Sequence, residues 1–406
     1  MTLRQRLFAP PRRLIVACFC MDMNVAMTSL AIQNMGIYKL SAPNVVLGLF
    51  ATLSSVTYTL GCLVSGGLSD RYGRRRCAVV ACLGTTLAWI VLPNLGSWKY
   101  VLCAVPLSGA ALSLFWPSVQ AWIAELTTGG RQELSRNLGL FNILWATGLM
   151  IGPVASGYLW NLGPLWPFYV PAALALALVP WLIGIPRGAS QATDTGAEEF
   201  AEHEDGTLFL HLAWIGNFAS WFAGGIVGAL FPKLGHELQY TVPLVGWLLF
   251  AFRLGQVLVF VYTRYEQRWQ YRLWPMLAGE ALAAVGMICA VVSASPALFM
   301  VGFALAGACG GITYVGSLFY ALHGREEGRG KTSGLHEAVL GSGGVLGPLI
   351  GGVAAQFVNL RLPFAMAAAV LLAACVWQLH MFKSARSQRQ PASVTVEAEP
   401  CCGKGH

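Results

Sequence analysis

Apolar residues run along this chain in long unbroken stretches separated by short polar breaks, without the ten-residue alternation that a barrel strand leaves. A helix crossing a bilayer needs about 20 apolar residues. Twelve such stretches can be placed, over 13–36, 43–66, 77–95, 100–127, 136–160, 164–184, 207–232, 242–263, 272–295, 297–322, 333–357 and 361–382. Within a bilayer a helix satisfies its own backbone polar groups, so each stretch is read as a spanning helix. The pattern predicts an all-α membrane protein of twelve transmembrane helices.

Composition narrows the class further. Only 11% of the 406 residues are charged, against about 25% in a soluble chain, too few to cover the surface of a soluble enzyme of this length. The net charge of +8 matters through its placement. If both termini share one side, 21 Lys and Arg lie there and four on the other, with Arg253 inside a span. The positive-inside rule then predicts cytoplasmic termini in a plasma membrane, the inner membrane for a bacterium. The first apolar stretch is full length and is read as a span, not a cleaved signal. The cysteines avoid the loops opposite the termini, so no disulfides are expected.

The longest polar break is acidic, with Glu198, Glu199, Glu202, Glu204 and Asp205, and it divides six spans from six. This predicts a terminus at 1–12, a six-helix bundle at 13–184, a linker at 185–206, a second bundle at 207–382 and a disordered tail at 383–406. The tail ends C-C-G-K-G-H, so Cys401, Cys402 and His406 are metal or acylation candidates against the plainer reading of a solvated tail. The halves also repeat. At an offset of 195 residues, Gly139 matches Gly334, Gly148 matches Gly343, Gly152 matches Gly347, Pro153 matches Pro348 and Gly157 matches Gly352. Parallel repeats of this kind are a transporter architecture.

The break after the second span reads G-G-L-S-D-R-Y-G-R-R-R over 66–76. Gly66 and Gly73 permit close helix approach and a tight turn, and the arginines suit anionic lipid or nearby carboxylates. A basic loop alone would obey the topology rule, but that leaves the ordered Gly, Asp and Arg positions unexplained. This motif, with twelve spans and a 6+6 repeat, resembles the major facilitator superfamily across about residues 10–385. The resemblance implies that Gly66, Asp70, Arg71, Gly73, Arg74 and Glu125 form a conformational latch. Asp70 would meet the start of the eleventh helix near Thr332 and Ser333, and Arg74 would pair with Glu125. The segment holding Gly148, Gly152, Pro153 and Gly157 resembles the family's antiporter motif, which tilts the reading to efflux. Its physics is close helix packing, shared by Gly343, Gly347, Pro348 and Gly352. The chain departs from the motif at Ser156, and it carries Val105 where drug:proton antiporters of the family have an Arg.

Ionisable residues within spans are costly and point to function. Asp22, Arg253, Glu280 and Glu337 qualify. Ser29 and Gln33 fall within about 60° of Asp22 on the helical wheel, so the three form one polar stripe, and a carboxyl held out of water suits proton binding. Arg253 and Glu280 share a depth and suggest a structural ion pair. The alternative is that Arg253 faces the cavity and meets Asp22 or an anionic solute. Glu337 is read either as a proton- or substrate-binding group or as a carboxylate favoured by its helix start.

By resemblance, helices 1, 4, 7 and 10 line a central cavity. Their stripes hold Ser113, Trp116 and Gln120; His211, Trp214, Asn217 and Trp221; and Thr313, Tyr314 and Ser317. Such aromatic walls with an acid suit a flat amphipathic or cationic solute, and they also suit sugars. Walker, metal-ligand and nucleophile-elbow signatures are missing, so no enzyme, cofactor or metal is expected. The expected protein is a secondary transporter, working as a monomer in the lipid bilayer with no nucleic-acid partner. It exports a small amphipathic or cationic solute, with protons as the candidate exchanged ion. The alternatives are uptake or exchange of a nutrient, sugar or organic anion, and a non-transporting sensor or assembly partner.

Overall fold

The computed structural model describes residues 9–128, 130–187, 205–323 and 329–389. All twelve expected spans are helices, and no strand occurs among the described residues. They are α1 (Pro10–Asn34, extended by a π-turn over Met35–Lys39), α2 (Asn44–Tyr72), α3 (Arg74–Val91), α4 (Trp98–Leu126), α5 (Gly130–Leu162) and α6 (Trp166–Ile183) in the first half. The second half holds α7 (Gly206–Glu237), α8 (Val242–Tyr265), α9 (Trp274–Val292), α10 (Pro296–His323), α11 (Arg329–Phe357) and α12 (Leu362–Arg389). Each half folds as a six-helix bundle. An even helix count leaves both ends on one face of the molecule, the terminal face; the opposite one is the far face.

One expected boundary moves. Residues 383–389, expected in a disordered tail, continue α12. Lys383, Ala385, Arg386, Gln388 and Arg389 are good helix formers, and cations suit a helix C-terminus. The Arg386 guanidinium also covers the Phe382 ring at 4.5 Å. The rest of the tail, with Cys401, Cys402 and His406, and most of the linker lie outside the described residues.

The Gly/Pro repeat is built as one packing scheme used twice. Gly148 and Gly152 lie against the α1 backbone, where added Cβ atoms would each stand 3.0 Å from a backbone nitrogen, of Met23 and Met27 respectively. Gly343 and Gly347 do the same against α7, with Phe222 N 3.0 Å from an added Cβ at Gly343. One turn further on, the contacts change bundle. A Cβ at Gly157 would meet Pro243 Cα of α8 at 2.7 Å, and one at Gly352 would meet Gly48 Cα of α2 at 3.2 Å. The motif thus joins α5 to α1 within its bundle and to α8 across the interface. Ser156, the departure from the motif, is fully buried and donates to the Met27 carbonyl at 2.8 Å.

These cross-bundle contacts concentrate towards the far face. Asn44 N donates to Gln356 Oε1 at 2.8 Å, the Tyr38 and His236 rings meet edge-on at 4.6 Å, and Gly48 and Gly246 pack on the Pro348 and Pro153 carbonyls. At the terminal face nothing among the described residues lies within 4 Å of a Cβ added at Gly66 or Gly67. Among the described residues the close approach expected at Gly66 is therefore not made, whereas the bundles meet backbone to backbone towards the far face.

Candidate functional site

Between the bundles lies a cavity of about 270 Å³. From the first bundle α1 contributes Thr28, Ser29 and Gln33, α2 contributes Phe50, Ser54 and Ser55, and α4 contributes Ser108. From the second come Ser220 and Trp221 on α7, Phe252, Arg253 and Gln256 on α8, and Gly310 on α10. The wall mixes aromatic faces with short hydroxyls. Several of these are already bonded to backbone carbonyls or side chains: Thr28 donates to Asn24 O at 2.9 Å, Ser108 donates to Val105 O at 2.7 Å, and Ser220 pairs with Thr313 at 2.9 Å. Gln33 Nε2 donates to the Leu47 carbonyl at 3.2 Å, which fixes α1 to α2 beside the cavity.

Arg253 is the one ionisable group on this lining. Its Nη1 donates to Gln256 Oε1 at 2.7 Å, and the guanidinium lies over the Trp221 and Phe252 rings at 5.9 and 5.5 Å. Among the described residues no carboxylate comes within 4.0 Å of it. Asp22, on α1, is 6% exposed, and the two charges act on each other across the bundle interface.

The suggested Arg253–Glu280 pair is not formed. Glu280 is fully buried within the second bundle, accepting from Gln378 Nε2 at 2.6 Å and from the Cys375 thiol at 3.2 Å. Gly216 makes room for it, since any side chain there would strike Glu280 Oε1. Shared depth in consecutive spans did not reveal that the two side chains point to different faces.

Of the other sequence candidates, Ser29, Gln33 and Trp221 line the cavity with Arg253, whereas Trp116, Gln120, Trp214, Asn217, Tyr314 and Glu337 do not. Trp116 packs on Phe115 and Phe141, and Gln120 is exposed. Trp214 meets the His211 ring, and Asn217 is fully buried with neither amide atom bonded. Tyr314 sits in a ring cluster with Trp145, Phe260 and His336. Glu337 is exposed towards the terminal face. Tyr58 of α2 and Tyr314 each lie near enough to both Asp22 and Glu337 to feel their charges. Reading the sequence missed Tyr58, Ser54, Ser55 and Gln256. Only Gln256, three residues after Arg253 on one helix face, left a signal.

At the terminal face Arg74 is the hub of the loop motif. Its Nε donates to Glu125 at 2.9 Å, while Nη2 and Nη1 reach Asp70 and Ser69, each at 2.5 Å. Asp70, expected against the start of α11, is 65% exposed and pairs with Arg74 instead. The side chains of Thr332 and Ser333 lie outside the described residues. Gly73 takes φ +93°, a left-handed conformation that explains a glycine at the turn.

The chain matches its relatives over 27% to 89% of their own length, and less than two thirds of it for most of them. Multidrug resistance protein MdtG of Klebsiella pneumoniae (strain 342) is 23% identical over 397 residues, 90% of this chain and 89% of that protein. Tetracycline resistance protein, class B, of Escherichia coli is 25% identical, covering 70% and 73%. Multidrug resistance protein 2 of Bacillus subtilis (strain 168) is 29% identical, but the match spans only 28% of each chain. Among solved structures, the nucleoside transporter NupG superposes with TM-score 0.75 at 11% identity, over 92% of this chain and 99% of that one. A bacterial homologue of the lysosomal transporter Spinster, inward-facing and unoccupied, gives 0.71 at 14% identity, over 97% and 100%. At those identities the likeness is one of fold. Residues 14–209 and 213–401 match the Major Facilitator Superfamily, and the chain, a multi-pass membrane transporter and not an enzyme, belongs to that family.

Proposed function

We propose that this transporter exports a small amphipathic solute by alternating access and that Asp22 carries the coupling proton. The observation that carries the reading is the cavity between the bundles with Arg253 on its wall, together with Asp22, buried off that lining on the first bundle and within reach of the Arg253 charge. The backbone contacts between the bundles towards the far face, and the open surroundings of Gly66 among the described residues, support one of the two conformations such a cycle needs. Efflux is supported by the similarity to multidrug and tetracycline resistance proteins. Glu337, near the terminal-face end of α11, is the second carboxyl within reach of Tyr58 and Tyr314 and the other candidate for the proton. The terminal face is cytoplasmic by the distribution of cations, in a bacterial inner membrane. In the opposite conformation the loop around Arg74 latches α2 to α11, and the protein works as a monomer.

The cationic solute expected on aromatic grounds is disfavoured, because the lining holds a guanidinium and no carboxylate. Arg253 on the wall favours a second reading, uptake or exchange of an organic anion. Proteoliposomes loaded with a solute panel, with and without an imposed pH gradient, test both. Net outward movement that responds to the gradient supports export with a proton. Equal flux in both directions without any response to the gradient supports exchange. If no solute moves, the transport reading fails.

A further inference from the structure

The lining of the cavity has a charge but no counter-charge. Arg253 lies at mid-depth in α8, where an ionised side chain is costly and is retained for a purpose. Only Nη1 has a protein acceptor, the Gln256 carbonyl oxygen. The other guanidinium N–H groups have no protein acceptor among the described residues, yet they are not among the sealed, unbonded polar atoms; they open on the cavity. A planar fork with free donors suits a carboxylate, sulfonate or phosphate. Trp221 and Phe252 flank the same guanidinium and present apolar ring faces beside it. Ser29, Ser54 and Ser108 add short hydroxyls on the opposite bundle.

We propose that the cavity selects solutes built from an anionic head on a flat apolar body, the head on Arg253 and the body against Trp221 and Phe252. Because head and hydroxyl partners come from different bundles, such a solute bridges both halves. The inference rests on the cavity being the transport site and adds the class of solute to that reading.

The test uses the full chain in detergent and one ring system with three heads: naphthoate, naphthamide and naphthylmethylammonium, each titrated by calorimetry. Naphthoate is expected to bind at least about tenfold tighter than the other two, the scale of one charge-assisted hydrogen-bonded contact. Arg253→Gln should bring naphthoate down to the amide's affinity. Trp221→Leu should weaken all three alike. Should Arg253→Gln fail to fold, Arg253→Lys keeps the charge without the fork and should retain only part of the preference. Competition by benzenesulfonate and phenylphosphonate then separates the head chemistries. An ammonium that binds as well as the carboxylate overturns the proposal, as does no binding by any probe or a preference that survives Arg253→Gln. Head-group preference without movement across proteoliposomes would sink the transport reading and leave the anion site standing.

Discussion

Asp22 on α1 and Arg253 on α8 act on each other's charge from opposite bundles, yet they do not form an ion pair within 4.0 Å. Each therefore remains available to a third party, a proton for Asp22 and an anion for Arg253. The two bindings are linked. An anion on Arg253 takes away the counter-charge that favours ionised Asp22, and a proton on Asp22 removes the negative charge that competes for Arg253. Thermodynamic reciprocity makes these the same free energy. The sense follows: proton and anion load together, so an anion coupled through this pair moves in the same direction as the proton. Under an inward proton gradient that is the second reading, uptake, while export coupled to inward protons needs a solute that competes with the proton.

Naphthoate affinity should therefore rise as pH falls, across the range in which naphthoate itself stays ionised. Asp22→Asn mimics the protonated side chain. It should bind naphthoate at high pH as tightly as the unaltered protein does at low pH, with a flat profile. Calorimetry at a series of pH values reads both. A slope that persists in Asp22→Asn would assign the coupling proton elsewhere, with Glu337 the next candidate.

The parts of this molecule that were legible in its sequence are those on which the bilayer or a backbone contact acts directly. Apolar stretches mark the spans because lipid penalises every exposed polar group. The repeated Gly and Pro positions stand out because helix backbones touch there, and the same atoms of α1 and α7 meet Gly148 and Gly343. The cavity wall was less legible. Trp116, Trp214 and Tyr314 repeat at helical spacing like Trp221, but their rings pack on neighbouring helices. Spacing sets a shared face and leaves open what that face meets. Ser54 and Ser55 were passed over because a hydroxyl in a span usually bonds its own helix, as Thr57 does to Leu53.

Glu280 belongs to a different unit from Arg253, so the two should behave independently. Glu280→Ala leaves Gln378, fully buried, without its carboxylate partner, and the expected loss is about 1–2 kcal/mol. Glu280→Gln keeps the shape and should cost less. A double-mutant cycle with Arg253→Met, read by thermal unfolding in detergent, should give a coupling energy within about 0.5 kcal/mol of zero. A coupling above about 1 kcal/mol would mean that the two side chains interact after all.

The seal at the far face depends on bare backbone. An alanine at Gly48 would put its Cβ against the Pro348 carbonyl, and Gly246 stands in the same relation to Pro153. Neither backbone partner can move aside as a flexible side chain would, so Gly48→Ala and Gly246→Ala should oppose closure. A cysteine at Ser54, on the cavity wall, reports this. Its labelling from the far face should rise several-fold in either variant, and naphthoate should no longer protect it as completely. Unchanged labelling would show that the far face closes by other contacts.

Gly66 gives the converse case. In this conformation a Cβ at Gly66 meets no described residue within 4 Å, so Gly66→Val should leave folding and naphthoate binding from the terminal face unchanged within about twofold. The α-helical cost of the exchange is small, since valine is the better helix former of the two. If α2 and α11 come together when the terminal face closes, the same valine blocks that step. Transport in proteoliposomes should then fall by about tenfold or more while binding persists, and a cysteine at Ser54 should stay reachable from the terminal face throughout the cycle. The pair Arg74–Glu125 serves as the comparison, because both side chains belong to the first bundle, so losing it puts no obstacle between α2 and α11. Arg74→Gln should slow turnover less than Gly66→Val does. If Gly66→Val transports at the full rate, the close approach of α2 to α11 is not part of the cycle, and the glycine is kept for a reason other than a latch.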